Sequence, residues 1–391
     1  EGVKGCGKTE TARRRSASEV LLETDRNAER RAQLEPGLVL DGSTPRLLDE
    51  WQRVPSIWDA VRRAVDSRSL PGQFILTGSA TPEDSLTRHS GAGRFGVVEM
   101  RTMTLAEKQA TPPTVSVRRL LNGEPPEPSN CTMRVTDYLH HLAVGGWPYL
   151  IGVSEATAEA FLEGYLDMIV EHDITEASGT RRNPRLVRRF LSAYAQMTAH
   201  PATIAAILRR ADDDADSGTP SRYAAADYLD ALRRMRLVDE VPAWDPSLRS
   251  SKRLVATPKR HLADPSLAAS LLRMSPRRML DDLDTTSYLF ESLVVHDLRV
   301  CAGANRTDVF HYREADGRLE VDCILETRDG DWAGIEVKLG ESEIDKAAAS
   351  LLALSGRVAR PPKMLAVVTA TSLAYTRPDG VAVVPLGCLG T

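Results

Sequence analysis

Apolar residues along the first hundred positions fall in short runs separated by amphipathic stretches. This alternation of strand and helix builds a mostly parallel sheet. Helical sequence runs from Lys8 to about Glu23, Leu38–Leu40 reads as a short strand, and Arg46–Trp51 is an apolar run broken by two acids. A helix is predicted from Ile57 to Asp66, with Val61, Ala64 and Val65 at helical spacing. Gln73–Ala80 reads as a buried strand ending in small polar residues, and Phe95–Met103 as a strand that closes the unit.

The pattern changes twice more. Residues 122–130, rich in Pro, Glu and Gly, read as a linker. From Val135 to about Leu237 the periodicity is helical, with amphipathic segments at Ala156–Ile169, Leu186–Ala199 and Ala202–Ala211. Two short helices, a polar turn, a third helix and then LVDEVPAW as a β-ribbon describe a winged helix-turn-helix; a helical connector used for protein contacts is the other reading. From about His261 a helix (Ser287–Gly303) precedes three strands in DVFHYRE, LEVDCILET and WAGIEVKLG, with a turn at Asp329-Gly330. A helix at Lys346–Ser355 and strands at Lys363–Ala370 and Val381–Gly387 follow. The expected units are 1–112, 132–258 and 261–391.

GVKGCGKT (Gly2–Thr9) fits GxxxxGK[ST], the phosphate loop of P-loop nucleotide hydrolases. Gly2, Gly5 and Gly7 let the backbone turn tightly, so that amide N–H groups point at the β- and γ-phosphates of ATP. Lys8 adds a point charge there, and the Thr9 hydroxyl is a ligand for Mg²⁺. About forty residues on, LLDEW puts Asp49 at the carboxyl end of a buried strand, the crevice where ligands sit in open α/β sheets. Asp49 would hold Mg²⁺ and Glu50 would align the attacking water. Thr77 and Ser79 end a further strand, where a polar side chain could sense the γ-phosphate. Arg88 and Arg94 are either arginine fingers or surface arginines. The sequence opens directly on the loop, which a buried strand normally precedes, so a first strand is expected to be missing and the chain truncated.

Composition narrows the classes. The chain has 391 residues, 42% apolar and 27% charged, which suits two or three globular domains. No apolar stretch reaches membrane-spanning length and no signal pattern opens the sequence, so a cytoplasmic protein without a membrane partner is expected. Cys6, Cys131, Cys301, Cys323 and Cys388 form no CxxC pair, which argues against zinc and against a disulfide framework. Net charge is −4, so no global basic field announces nucleic acid. Arg181, Arg182, Arg185, Arg188 and Arg189 cluster, either as a solvated helix face or as a phosphate contact. DNA and further copies of the chain are candidate partners. His140 and His141, being adjacent, make a poor metal pair; Trp147 reads as a core anchor, and His296 and Asp297 as surface residues.

GVKGCGKT, LLDEWQ, FILTGSA, RHSGAGRF with RTMTLAE, GGWP (Gly145–Pro148) and the C-terminal acids resemble a bacterial and archaeal AAA+-like ATPase family. Its members join a P-loop domain to a C-terminal domain resembling the PD-(D/E)XK nuclease fold. The resemblance implies ATP binding and hydrolysis, a helical or winged-helix middle, and a restriction-endonuclease-like α/β end. Asp322, thirteen residues, then Glu336-Val337-Lys338 matches the D-x(n)-E-x-K core of that nuclease fold. Strand periodicity puts Glu336 and Lys338 on one face, Asp322 lies on the preceding strand, and Glu291 on the upstream helix could supply a fourth group. Asp322 and Glu336 would hold Mg²⁺ while Lys338 steadies the nucleophile; a salt-bridged, solvent-facing strand is the alternative. Three functions stay open: an ATPase motor or switch, a metal-dependent nuclease regulated by ATP, and a DNA-binding regulator.

Overall fold

The computed structural model describes residues 1–78, 91–212, 218–247, 256–314 and 317–391. Near the amino terminus, helix α1 (Lys8–Arg13), strand β1 (Ser18–Leu21), helix α2 (Arg26–Leu34), strand β2 (Arg46–Asp49), helix α3 (Ser56–Arg68) and strand β3 (Phe74–Thr77) make a parallel sheet of order β1-β2-β3. In-register pairing aligns Leu21, Asp49 and Thr77, so the carboxyl ends of the three strands share one edge. Val20 and Leu48 pack with Ala28, Ile57 and Val61 in a small apolar core of their own.

Several expectations change here. The helix predicted to reach Glu23 stops at Arg13, and residues 18–21 form a strand instead. Leu38–Leu40 is not a strand: Pro36–Val39 winds as a 3-10 turn, because Pro36 and Gly37 suit a turn better than a ladder. Phe95–Met103 forms no strand among the described residues beyond a single bridge from Met100 to Gly2; Val97 and Val98 are exposed.

Short pieces then stitch distant parts of the chain together. Strand β4 (Val115–Ser116), leading into helix α4 (Val117–Leu121), pairs with the end of the chain at Leu389–Gly390. The expected linker contributes strand β5 (Ser129–Asn130), which pairs with Leu373–Ala374. Helices α5 (Val135–Val144), α6 (Glu155–Met168), α7 (Ile174–Ser178), α8 (Pro184–Ala195), α9 (Ile204–Asp212) and α10 (Arg222–Arg234) form the helical middle. Strands β6 (Val238–Val241) and β7 (Lys259–Leu262) pair antiparallel after it.

Helices α11 (Pro265–Leu271) and α12 (Pro276–Asp281) lead to the long helix α13 (Leu283–Ala304). Strands β8 (Thr307–Arg313), β9 (Glu320–Thr327) and β10 (Trp332–Lys338), helix α14 (Ile344–Ser355), and strands β11 (Met364–Thr369), β12 (Leu373–Thr376) and β13 (Ala382–Pro385) complete a seven-stranded mixed sheet of order β5-β12-β13-β11-β10-β9-β8. Strand periodicity divides its two faces. Cys323, Leu325, Ile335 and Val368 join a continuous core that runs through the middle helices to Val3 and Cys6 of the glycine-rich loop. Ile324 and Val367 pack under Leu351 and Leu354 of α14 on the other face, joined by Val321 where a shift in the β8–β9 register breaks the alternation. The five cysteines are buried and unbridged. No helix among the described residues is long and apolar enough to cross a membrane.

Candidate functional site

The glycine-rich loop ends in Gly7 at φ 97°, a left-handed conformation that a side chain would strain, and α1 begins at the next residue. Its N-terminal N–H groups therefore face the mouth of the loop. Lys8 is buried, and its ammonium donates to the carbonyls of Gly2 and Val3, each at 2.9 Å, curling the loop around it. Thr9 Oγ1 donates to Asp49 Oδ1 at 2.8 Å, and Thr77 Oγ1 donates to the same oxygen. Loop, acid and threonine thus meet at one sheet edge across forty residues of sequence. A hydroxyl and a carboxylate side by side make an oxygen-only donor set, which suits Mg²⁺.

Glu50 follows with φ 52°, an uncommon backbone for a non-glycine residue and one found at functional turns. Burial pushes its carboxyl up from the ordinary range, while the Gln52 amide bonded to it and the charge of Lys8 pull it back. Arg94 is tied to Asp66 of α3 at 2.9 Å and to the Ala92 carbonyl, contacts that lie outside the phosphate loop. Ser79 and Arg88 lie outside the described residues.

Sequence reasoning missed how closely the middle helices hold the loop. Trp147, only 1% exposed, donates its indole N–H to the Lys4 carbonyl at 3.1 Å, and the Tyr165 hydroxyl donates to the same carbonyl at 3.2 Å. The Lys4 ammonium pairs with Asp173 at 2.9 Å. A Cβ placed on Gly5 would lie 3.1 Å from the Trp147 ring, and one on Gly7 3.5 Å from Pro148. The loop glycines therefore serve this contact as well as the tight turn. Trp147 is a core residue, as expected, but the core it anchors includes Val3 and Cys6 of the glycine-rich loop.

A buried polar chain continues from there. Thr102 Oγ1 donates to Asp264 at 2.6 Å and lies 2.9 Å from His296 Nε2; His296 Nδ1 is 2.9 Å from Asp297, which accepts the Leu105 N–H at 3.0 Å. Asp264 also accepts the Gly146 N–H, next to Trp147. His296 and Asp297 are thus buried at a junction, not on the surface: α13 is enclosed by middle helices and sheet, so its polar positions also face protein.

The C-terminal acids do converge. Glu291 on α13, Asp322 on β9 and Glu336 on β10 are buried at the floor of a cleft of about 710 Å³. Lys338 lies 2.9 Å from Glu336 and 3.6 Å from Asp322, whose Oδ2 also accepts the Val337 N–H at 2.9 Å. The group missed by sequence reasoning is Lys259 of β7. Its ammonium, 1% exposed, donates to Glu291 at 2.8 Å and Asp322 at 3.0 Å, with Glu320 at 3.4 Å. Burial and the Asp322 charge raise Glu336 to about 9; burial and Asp322 likewise raise Glu291 to about 8. Asp322 moves the other way: burial would raise it, but Lys259 and Lys338 hold it below the usual carboxylate range. The strand is salt-bridged, as the alternative reading had it, but it does not face solvent.

The arginine run is largely engaged within the fold. Arg182 reaches Ser178 and Asp227 at 3.3 and 3.4 Å, Arg188 pairs with Asp167, and Arg189 donates to the Gly218 carbonyl at 3.0 Å. Arg181 and Arg185 remain exposed.

Against known proteins, residues 1–108 match the family model described as "AAA domain". Residues 135–278 and 287–389 match two described as domains of unknown function, DUF8612 and DUF4143. Among curated proteins the chain is similar to uncharacterized protein Mb2031c of Mycobacterium bovis and uncharacterized protein Rv2008c of Mycobacterium tuberculosis. Each is 24% identical over 341 residues, covering 86% of this chain and 69% of the relative. The first of the three matches supports an AAA-like, nucleotide-binding ATPase at the amino-terminal end of the chain.

Proposed function

We propose that the chain is a Mg²⁺-dependent ATP hydrolase that works as a switch, reading nucleotide state at Gly2–Thr9 and passing it to the middle helices. The observation that carries this reading is the contact of Thr9 with Asp49, joined by Thr77 at the same oxygen. Loop amides and Lys8 would bind the phosphates, and Thr9 and Asp49 would hold Mg²⁺, which when bound neutralises charge on the transferring phosphoryl group. Glu50, at the turn after β2, would accept a hydrogen bond from the attacking water and orient it. The hold of Trp147 and Tyr165 on Lys4 supports coupling, since a shift in the loop must disturb the middle helices.

Glu50→Gln tests the assignment: ATP affinity stays within a few-fold, while phosphate release falls roughly 100-fold or more. Unchanged turnover in that variant removes Glu50 from the reaction. The order α13-β8-β9-β10-α14-β11 and the meeting of Asp322, Glu336 and Lys338 support a nuclease-like fold for residues 261–391. Helices α8 to α10 followed by the β6–β7 pair support a winged-helix-like middle.

A further inference from the structure

A metal-dependent nuclease centre needs carboxylate oxygens free to close around a hard cation at about 2.0–2.1 Å, in near-octahedral order. The acidic cluster of this chain does not offer them. Glu291 Oε1 and Asp322 Oδ1, the oxygens that converge from helix and sheet, lie 2.8 and 3.0 Å from one ammonium, that of Lys259. The second oxygen of Asp322 accepts a backbone N–H at 2.9 Å, and Glu336 is bridged by Lys338 at 2.9 Å. Among the described residues, no group of three or more His, Cys, Asp or Glu side chains is placed to hold a metal ion. Lys259 is no stray surface lysine: it is 1% exposed, and β7 is anchored by pairing with Val241 and by a bridge to Pro201.

We infer that the Lys259 ammonium stands in the place a divalent cation would take, making this cluster a lysine-bridged ionic core rather than a metal centre. A monovalent cation built into the chain, together with the protons that Glu291 and Glu336 retain, balances the converging acids, and it comes from the segment that links the middle helices to the C-terminal sheet. A divalent ion at these oxygens would lie directly against the buried ammonium, and that like-charge repulsion requires Lys259 to withdraw before the ion binds. The D-x(n)-E-x-K spacing alone does not reveal this, since the decisive residue lies 63 positions before Asp322.

Mn²⁺ titrated into the full chain without nucleotide, with free Mn²⁺ followed by its paramagnetic resonance signal, tests the inference. Wild type is expected to show no site that Asp322→Asn weakens. Lys259→Met is expected to gain one site, lost again in the Lys259→Met, Asp322→Asn double variant. A wild-type site that weakens tenfold or more in Asp322→Asn overturns the inference, as does a folded Lys259→Met chain that gains no site. If Lys259→Met does not fold, the wild-type comparison decides alone: a site sensitive to Asp322→Asn overturns the inference, and the lack of one supports it.

Discussion

The two ends of the chain use the same chemical vocabulary, a lysine and acids at strand edges, to opposite effect. At the amino-terminal site Lys8 is held by backbone carbonyls, and the loop amides and the Thr9–Asp49 pair stay directed at the mouth of the loop. At the C-terminal cluster two lysines are spent on the acids themselves. Among the described residues, the first arrangement sets only hydroxyls on its acid; the second sets two ammonium groups on its acids. A motif therefore names the groups present, and the partner each group has already taken decides what remains for chemistry.

The comparison is tested most severely at Lys259. Removing the lysine leaves Asp322, the acid held ionised, short of one of its two ammonium partners in a buried cluster, so Lys259→Met is expected to lower unfolding stability by about 3–5 kcal/mol at neutral pH, read by denaturant titration. A loss under about 1 kcal/mol would mean that ionised Asp322 does not depend on this lysine. Trp147→Ala comes next. It removes a buried ring that also grips the Lys4 carbonyl, with an expected cost of about 3 kcal/mol. ATP affinity should fall in the same variant, because the loop loses its outer support. Wild-type affinity in a folded Trp147→Ala chain would separate the loop from the middle helices.

Stability against pH, the most gradual of these effects at each unit of pH, sharpens the C-terminal half of the comparison. Glu291 and Glu336 are raised to about 8 and about 9 from an ordinary 4.5, so the folded state holds protons that the unfolded chain releases. The stability from those protons is fully present below pH about 4.5 and is lost as pH rises through 8 and 9. Asp322 has the opposite sign: its contribution is present above 3.8 and is lost as the solution becomes more acidic. Glu336→Gln should remove one proton's share of the alkaline decline, up to about 1.4 kcal/mol per pH unit. Wild-type and variant curves running parallel from pH 6 to 9 would place no proton on Glu336.

What the sequence disclosed follows from how local each signal is. The glycine-rich turn into α1 and the Asp49 strand were legible because a glycine pattern and a buried run each stand alone within a few residues. The C-terminal strands were legible as short apolar runs bounded by turn residues, and the meeting of Asp322, Glu336 and Lys338 follows from strand period and pairing. β1 was hidden because it is four residues long with one buried position, beside a helix whose apolar spacing ran on into it. Burial of His296 and Asp297 was hidden because their partners, Thr102 and Leu105, lie 194 and 192 positions away. Lys259 was hidden for the same reason: nothing near it in sequence shows that three carboxylates will surround it. Long-range partners decide polar burial, and short-range patterns do not carry them.

The claim on which the rest depends is that the Gly2–Thr9 loop grips the phosphates of ATP. Equilibrium titration of ATP–Mg²⁺ into the full chain, beside Lys8→Ala, tests it directly. Saturable binding to wild type, weakened at least 100-fold by Lys8→Ala in a chain that still folds, is the predicted result. No binding to wild type, or equal affinity in the two chains, would contradict it.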